Sequence, residues 1–278
     1  MGNATRAACV IGWPIKHSRS PLIHNYWIEL HRLDAEYRRE EVAPEAVADF
    51  LTHLAERGYV GCNVTLPHKE AALSLSEPDD RALAVGAANT LWLDGGKLRS
   101  TNTDVEGFTA NLDASVPGWD RGPDDAVVLG AGGSARAVVY GLIERGFEVI
   151  HVVNRTTERS QALRERFGGA VQPAAWNALP HLLARAGLLV NTTSLGMTGQ
   201  PPLDIDIGPL SKDAAVADLV YAPLETALVK AARARGLSAA DGLGMLLHQA
   251  VRGFQLWFGV RPGVTPELRA LVEADLTR

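Results

Sequence analysis

Short apolar, β-branched runs alternate along the chain with segments whose apolar residues recur at helical spacing. That order is the pattern of parallel strands joined by crossover helices, an α/β fold. In the first half, 9–11, 35–41 and 60–64 read as strands, and 21–31 and 44–57 as helices. In the second of these helices Val47, Phe50, Leu51 and Leu54 fall on one face. The stretch 92–99 reads as a hairpin turning at Asp94-Gly95-Gly96. Residues 115–125, Ser-Val-Pro-Gly-Trp-Asp-Arg-Gly-Pro-Asp-Asp, are turn formers without periodicity and mark a connection. A second unit is expected from Ala126: strand 127–129, a glycine turn, helix 134–145, strand 148–153, helix 158–167, then strands at 188–191, 215–219 and near 237–240. A long helical pattern over 243–258 and a tail helix from Pro266 need not belong to that unit and can return to the first.

Composition narrows the function classes. A chain of 278 residues with 46% hydrophobic and 21% charged content can bury a substantial core, as one large domain or two modest ones. A formal net charge of -5 provides no broad electrostatic footprint for nucleic acid or an acidic membrane. No apolar stretch approaches the length of a membrane span, and the run from Ala7 to Gly12 is too short for a signal sequence. Cys9 and Cys62 are far apart in sequence and form no CxxC or Cys/His cluster, so neither a disulfide framework nor a metal site is expected. A reducing, cytoplasmic setting fits.

The strand 127–129 leads into Gly130-Ala131-Gly132-Gly133-Ser134-Ala135, a GxGxxG/A pattern set between a strand and a helix. The first glycine permits the tight turn, the second lets backbone approach a pyrophosphate, and the helix N-terminus offers free N–H groups to it. An NAD site places Asp or Glu about 20 residues onward to hold the ribose 2′-hydroxyl. Here the second strand ends in Asn154-Arg155-Thr156, with Arg159 a helical turn further and no carboxylate in that place. Guanidinium groups suit a dianionic 2′-phosphate, so the expected cofactor is NADP(H).

Reducing a carbonyl by hydride transfer needs an acid to protonate the developing alkoxide. Zinc-ligand clusters are missing, and Leu, Glu, Asn, Glu and Glu stand four residues after the five tyrosines, which excludes a Tyr-x-x-x-Lys pair. Lys or His with an orienting carboxylate remains. Asn63-Val64-Thr65-Leu66-Pro67-His68-Lys69 and Ser100-Thr101-Asn102-Thr103-Asp104 each carry polar side chains just past a strand, where sites in α/β folds tend to lie. Taken singly, Lys69 and Asp104 read more simply as surface residues.

Together with Ile11-Gly12-Trp13-Pro14-Ile15-Lys16-His17-Ser18-Arg19-Ser20-Pro21, Gly86-Ala87-Ala88-Asn89-Thr90, Asn191-Thr192-Thr193-Ser194-Leu195-Gly196-Met197, Asp218-Leu219-Val220-Tyr221 and Asp241-Gly242-Leu243-Gly244-Met245 through Gln249, these segments resemble the shikimate dehydrogenase family over nearly the whole chain. The resemblance implies an N-terminal α/β substrate domain (1–105 plus about 243–278) and a Rossmann-type doubly wound NADP-binding domain (about 106–242), with C-terminal helices returning to the substrate domain. It implies that Ser18 and Ser20 hold the substrate carboxylate, that Thr65, Asn89, Asp104, Tyr221 and Gln249 contact carboxylate or ring hydroxyls, and that Lys69 and Asp104 are the catalytic pair. Lys69 would donate the proton and Asp104 hold it in place. Leu219, Gly242 and Met245 would border the nicotinamide, in a cleft between two domains. A small polyhydroxy acid is gripped through many donors and acceptors, whose loss is expensive once buried.

His17, His24 and His68 read as surface or packing residues, Trp257 and Phe258 as core, and Arg38-Arg39-Glu40-Glu41 as an exposed mixed-charge stretch. The implied reaction is NADPH-dependent reduction of 3-dehydroshikimate by a monomer or homodimer acting on small molecules. Its rivals are a quinate/shikimate dehydrogenase and a non-catalytic binding regulator. Ser at both 18 and 20 and the missing acid near Asn154 favour shikimate and NADP, and the presence of both Lys69 and Asp104 speaks against a pure binder.

Overall fold

The computed structural model describes residues 6–121 and 125–277, so residues 122–124 of the expected connection lie outside the described residues. The chain separates into two compact units. One runs to Thr103 and resumes over Gln249–Asp275, and the other is Asp104–His248 together with the last residues from Leu276.

The first unit is built on β1 (Arg6–Gly12), α1 (Ser20–Leu30), β2 (Ala35–Glu41), α2 (Val47–Thr52), β3 (Tyr59–Val64), α3 (Lys69–Ser74), β4 (Glu77–Pro78), α4 (Asp80–Val85), β5 (Thr90–Asp94) and β6 (Lys97–Thr101). Its sheet has the order β2-β1-β3-β5-β6-β4. The first three strands are parallel, as expected, but β5 runs antiparallel to both β3 and β6, so the sheet is mixed. The hairpin, whose Asp94↔Lys97 pair leaves the two-residue loop Gly95-Gly96, accounts for the β5–β6 pairing. One face buries Cys9, Ile11, Cys62, Val64 and Leu91 against Phe50, Leu51 and Leu54. The predicted helix 44–57 is shorter than its apolar pattern: a 3₁₀ turn at Pro44–Ala46 precedes α2, and Leu54 packs from the turn that follows.

The second unit contains α5 (Thr103–Ser115), β7 (Asp125–Leu129), α6 (Gly133–Glu144), β8 (Ile150–Val153), α7 (Thr157–Phe167), β9 (Val171–Ala174), α8 (Leu179–Leu183), β10 (Ala186–Asn191), β11 (Ala215–Asp218), α9 (Ala227–Ala234) and β12 (Ser238–Ala240). All its strands are parallel in the order β12-β11-β10-β7-β8-β9, the doubly wound arrangement. Alternate residues of each strand serve opposite faces. Ala126 and Val128 join Phe108, Leu112, Val138 and Leu142 on one face, while Val127 and Leu129 join Leu183, Leu203, Ile207 and Leu228 on the other. Burial on both faces explains why these strands read as continuous apolar runs. Between β10 and β11 no helix forms, and an irregular segment supplies Leu203, Ile207 and Leu210 to the core instead.

Two helices end the chain: α10 (Gly242–Phe258) and α11 (Pro266–Leu276). The boundary expected near 243 coincides with the start of α10, whereas contacts put it at 248/249, because Met245 on the first turn of α10 packs on the second unit's core. From Gln249 onward α10 belongs with the first unit, where Trp257 donates to the carbonyl of Leu91 at 2.8 Å. Trp257 and Phe258 are buried, as expected. Among the described residues no helix is long and apolar enough to cross a membrane.

Candidate active site

In the first unit the polar candidates collect at one edge of the sheet. The ends of β1, β3 and β6 and the start of β5 fall together there, as the pairings Ile11↔Val64, Asn63↔Thr90 and Thr90↔Thr101 require. The β1 edge leads to Ser18 and Ser20, the β3 edge to Thr65 and Lys69, and β5 begins directly after Asn89. Thr65 is fixed by its N–H to the Ile11 carbonyl (3.0 Å), and the Ser18 hydroxyl accepts the Ser20 N–H at 3.3 Å. Arg39 donates to the Ser18 carbonyl at 2.6 Å. Lys69 opens α3 half-buried, and its carbonyl accepts the Ala88 N–H at 3.0 Å, which ties the lysine's backbone to the loop that carries Asn89.

Asn89 is buried, and its Oδ1 accepts the Thr103 N–H at 2.7 Å. A backbone N–H can only donate, so the facing atom is the amide oxygen and the NH2 is on the other branch. The Thr103 and Thr90 hydroxyls also reach Oδ1, each at 3.2 Å. Whatever Asn89 does for a ligand, it does as a donor. Behind it, Tyr37 donates to Asn63 Oδ1 (2.6 Å), and Asn63 Nδ2 donates to the Asn89 carbonyl (3.2 Å) and Thr90 Oγ1 (3.0 Å). Burial pushes the Tyr37 phenol well above its usual range, which keeps it a donor. Asp104 follows Thr103 in the first turn of α5, a half-buried carboxylate at a helix N-terminus.

The histidines fall as the sequence indicates. His17 is exposed; His68 is buried with Nε2 2.7 Å from the Val42 carbonyl, so that nitrogen carries the proton. His24 stacks on Tyr37 at 4.1 Å and is held at a pKa of about 3 by burial. It is a neutral packing group. Arg38, Arg39 and Glu41 are exposed on edge strand β2, with Arg38 paired to Glu36. Cys9 and Cys62, distant in sequence, are register partners on β1 and β3, both buried and unbridged. Each then acts as a small apolar side chain in the core.

In the second unit the glycine turn joins β7 to α6 as expected. Gly130 has φ +100°, and a Cβ there would lie 2.8 Å from Thr192 Oγ1, so only glycine fits. Around Gly132 and Gly133 a Cβ would meet nothing within 4 Å, and Gly132, Gly133 and Ser134 are exposed. Ala135 is fully buried against the sheet. The turn is therefore braced beneath and open above, the shape a pyrophosphate requires. A cavity of about 680 Å³ beside it is lined by Ala131, Gly132, Arg136, Arg159, Ala162, Leu163, Glu165 and Arg166. Thus Ala131, Gly132 and Arg159 meet at one cavity. Arg155 and Thr156 are exposed just past β8, and Asn154 turns its amide to the Thr156 carbonyl at 2.8 Å. The donor set and the open turn fit a phosphorylated dinucleotide.

The ends of β10 and β11 are organised by Asp218. It accepts from Asn191 Nδ2 (2.8 Å), the Val220 N–H (3.1 Å) and the Thr226 hydroxyl (2.7 Å), while burial pushes its carboxyl upward. Gly242 touches the next loop: a Cβ on it would sit 2.3 Å from the Leu219 carbonyl oxygen. Leu219 and Met245 both pack on the adjacent core. Tyr221 lies half-buried past β11, and Gln249 half-buried on α10.

Family models match three parts of the chain: the shikimate dehydrogenase substrate binding domain (residues 10–91), shikimate / quinate 5-dehydrogenase (121–197) and the shikimate 5′-dehydrogenase C-terminal domain (242–271). A shikimate dehydrogenase (NADP(+)) of Nitrobacter hamburgensis is 69% identical over 271 residues, 98% of this chain and 95% of the relative. The chain belongs to the shikimate dehydrogenase family. Solved structures of shikimate and quinate dehydrogenases match nearly the whole chain. A shikimate 5-dehydrogenase of Thermus thermophilus, in complex with NADP(H) and shikimate, has a TM-score of 0.84 at 35% identity and covers 99% of each chain. A quinate dehydrogenase of Corynebacterium glutamicum in complex with NAD has a TM-score of 0.89 at 32% identity, covering 98% of this chain and all of its own. Sequence reading did not single out Thr103 and Asn63, whose value lies in what they hold, nor Arg136, whose place on the cavity wall depends on how two helices pack.

Proposed function

We propose that the chain catalyses the reversible, NADPH-dependent reduction of 3-dehydroshikimate to shikimate. The observation that carries this reading is the 69% identity to a shikimate dehydrogenase (NADP(+)) along 98% of the chain. The cofactor choice is supported locally, since Asn154-Arg155-Thr156 and Arg159 stand where an NAD site needs a carboxylate. In this reading the first unit is the substrate domain and the second, with Gly130 to Ala135, Asn154, Arg155, Thr156 and Arg159, the NADP domain.

NADPH, when bound, supplies the hydride. Lys69 gives a proton to the ketone oxygen as it becomes a hydroxyl and recovers one from water. Asp104 orients Lys69. Ser18 and Ser20 hold the substrate carboxylate, and Thr65, Asn89, Tyr221 and Gln249 bind the ring hydroxyls, with Asn89 donating. Leu219, Gly242 and Met245 flank the nicotinamide. The enzyme works as a monomer or homodimer in the cytoplasm, where both thiols stay reduced.

Initial rates with shikimate and quinate, each against NADP and NAD, test the assignment. Shikimate with NADP is expected to give the highest kcat/KM. Binding of shikimate with no change in NADPH absorbance would overturn the enzyme, and comparable rates with NADH would overturn the cofactor choice.

A further inference from the structure

The cavity beside the glycine turn carries more positive charge than Arg159 accounts for. Arg136 comes from the first turn of α6, directly after the turn, while Arg159, Glu165 and Arg166 come from α7. Three guanidiniums and one carboxylate give this wall two net positive charges, the complement of a phosphate monoester near neutral pH. A single guanidinium engages two oxygens of a phosphate through its planar fork, and the third oxygen needs another donor. Arg136 lines the same cavity as Gly132 of the glycine turn and Arg159, so all three face one space. Arg166 is seven residues beyond Arg159, about 10 Å further along the helix axis.

We propose that Arg136 is a further specificity-determining residue, which recognises the 2′-phosphate of NADPH from the α6 wall while Arg159 does so from α7. This rests on the NADP reading above. A 2′-hydroxyl can accept a hydrogen bond from a guanidinium but carries no charge to pair with it, so Arg136 favours NADPH over NADH.

The test uses the full chain and its Arg136→Gln, Arg136→Lys and Arg166→Gln variants, assayed with NADPH and NADH and titrated with adenosine 2′,5′-bisphosphate and 5′-AMP. A wild type without preference for the 2′-phosphorylated ligands would sink the NADP reading itself. Given that preference, Arg136→Gln is expected to raise the KM for NADPH and the Kd for the bisphosphate about tenfold or more, on the scale of a lost charge-assisted hydrogen bond. Its kcat with NADPH, its NADH kinetics and its 5′-AMP affinity stay near wild type. Arg136→Lys recovers most of the loss, and Arg166→Gln moves the ratio less. Equal weakening of phosphorylated and unphosphorylated ligands, or of neither, would overturn the role of Arg136, and so would failure of Lys to restore the ratio in a folded variant.

Discussion

Asn89 shows how a side chain's chemistry is set by what already holds it. Because the Thr103 N–H claims its oxygen, Asn89→Asp keeps that bond and exchanges two donors for an acceptor. The expected result is a KM for shikimate raised at least about tenfold with the fold retained, read from initial rates and a melting curve. Lys69 differs in kind, since the proposed proton donor would act mainly as the alkoxide forms. Lys69→Ala is expected to lower kcat by several orders of magnitude with a modest KM change, and a purely KM effect would refute its role. His24 bears on stability alone. Its folded pKa of about 3 lies below the unfolded value of about 6.5, so between these the unfolded chain binds the extra proton. The contribution is complete above pH 6.5 and is lost as pH falls toward 3, by up to about 1.4 kcal/mol per pH unit. Urea unfolding at pH 7.5 and 5 should show this fall, and His24→Phe should flatten it.

At the scale of elements, the Gly242 contact joins the loop after β11 to the start of α10 backbone against backbone. Gly242→Ala forces these apart by more than side-chain rotation can absorb, since the obstacle is a carbonyl oxygen at 2.3 Å. A loss of about 1–3 kcal/mol in stability, with reduced kcat, is expected from denaturant titration and rates. Most of the strands and helices were legible, the helices from their apolar spacing and the doubly buried strands from continuous apolar runs, and the glycine turn because it stands between a strand and a helix. Several of the elements that escaped have physical reasons. Helices α3, α4 and α8 span five or six residues, too few for a repeat to declare itself. In α5, Val105, Phe108 and Leu112 are properly spaced, but Gly107 and the threonines obscure the pattern. Strand β9 contains Pro173, tolerated because β9 is the edge strand of its sheet, beside β8. The polar site residues were legible only through their motifs, since no periodicity marks a loop, and the Cys9–Cys62 adjacency depends on strand register.

On the scale of the molecule, the two units differ in how the chain completes them. The second draws both faces of its sheet from 104–248, and each residue of its cores lies inside that stretch. The first cannot be finished by its N-terminal segment. Trp257 lies over Gly61, where a Cβ would be 2.1 Å from its indole nitrogen, and that nitrogen bonds the Leu91 carbonyl. Trp27 donates to the Gly263 carbonyl at 3.0 Å, and Phe254 and Trp257 close an aromatic cluster around His24. Removing residues 249–278 would uncover several large aromatic side chains, each worth about 1.5–3 kcal/mol of burial, which approaches the whole stability of a domain. A chain ending at His248 is therefore expected to lose amide protection in β1, β2, β3 and β5 while keeping it in β7, β8, β10 and β11 and still binding adenosine 2′,5′-bisphosphate. Hydrogen exchange followed by mass spectrometry distinguishes the outcomes. Uniform loss across both sheets would show that the second unit depends on the first, and uniform retention would show that the C-terminal helices are dispensable to it.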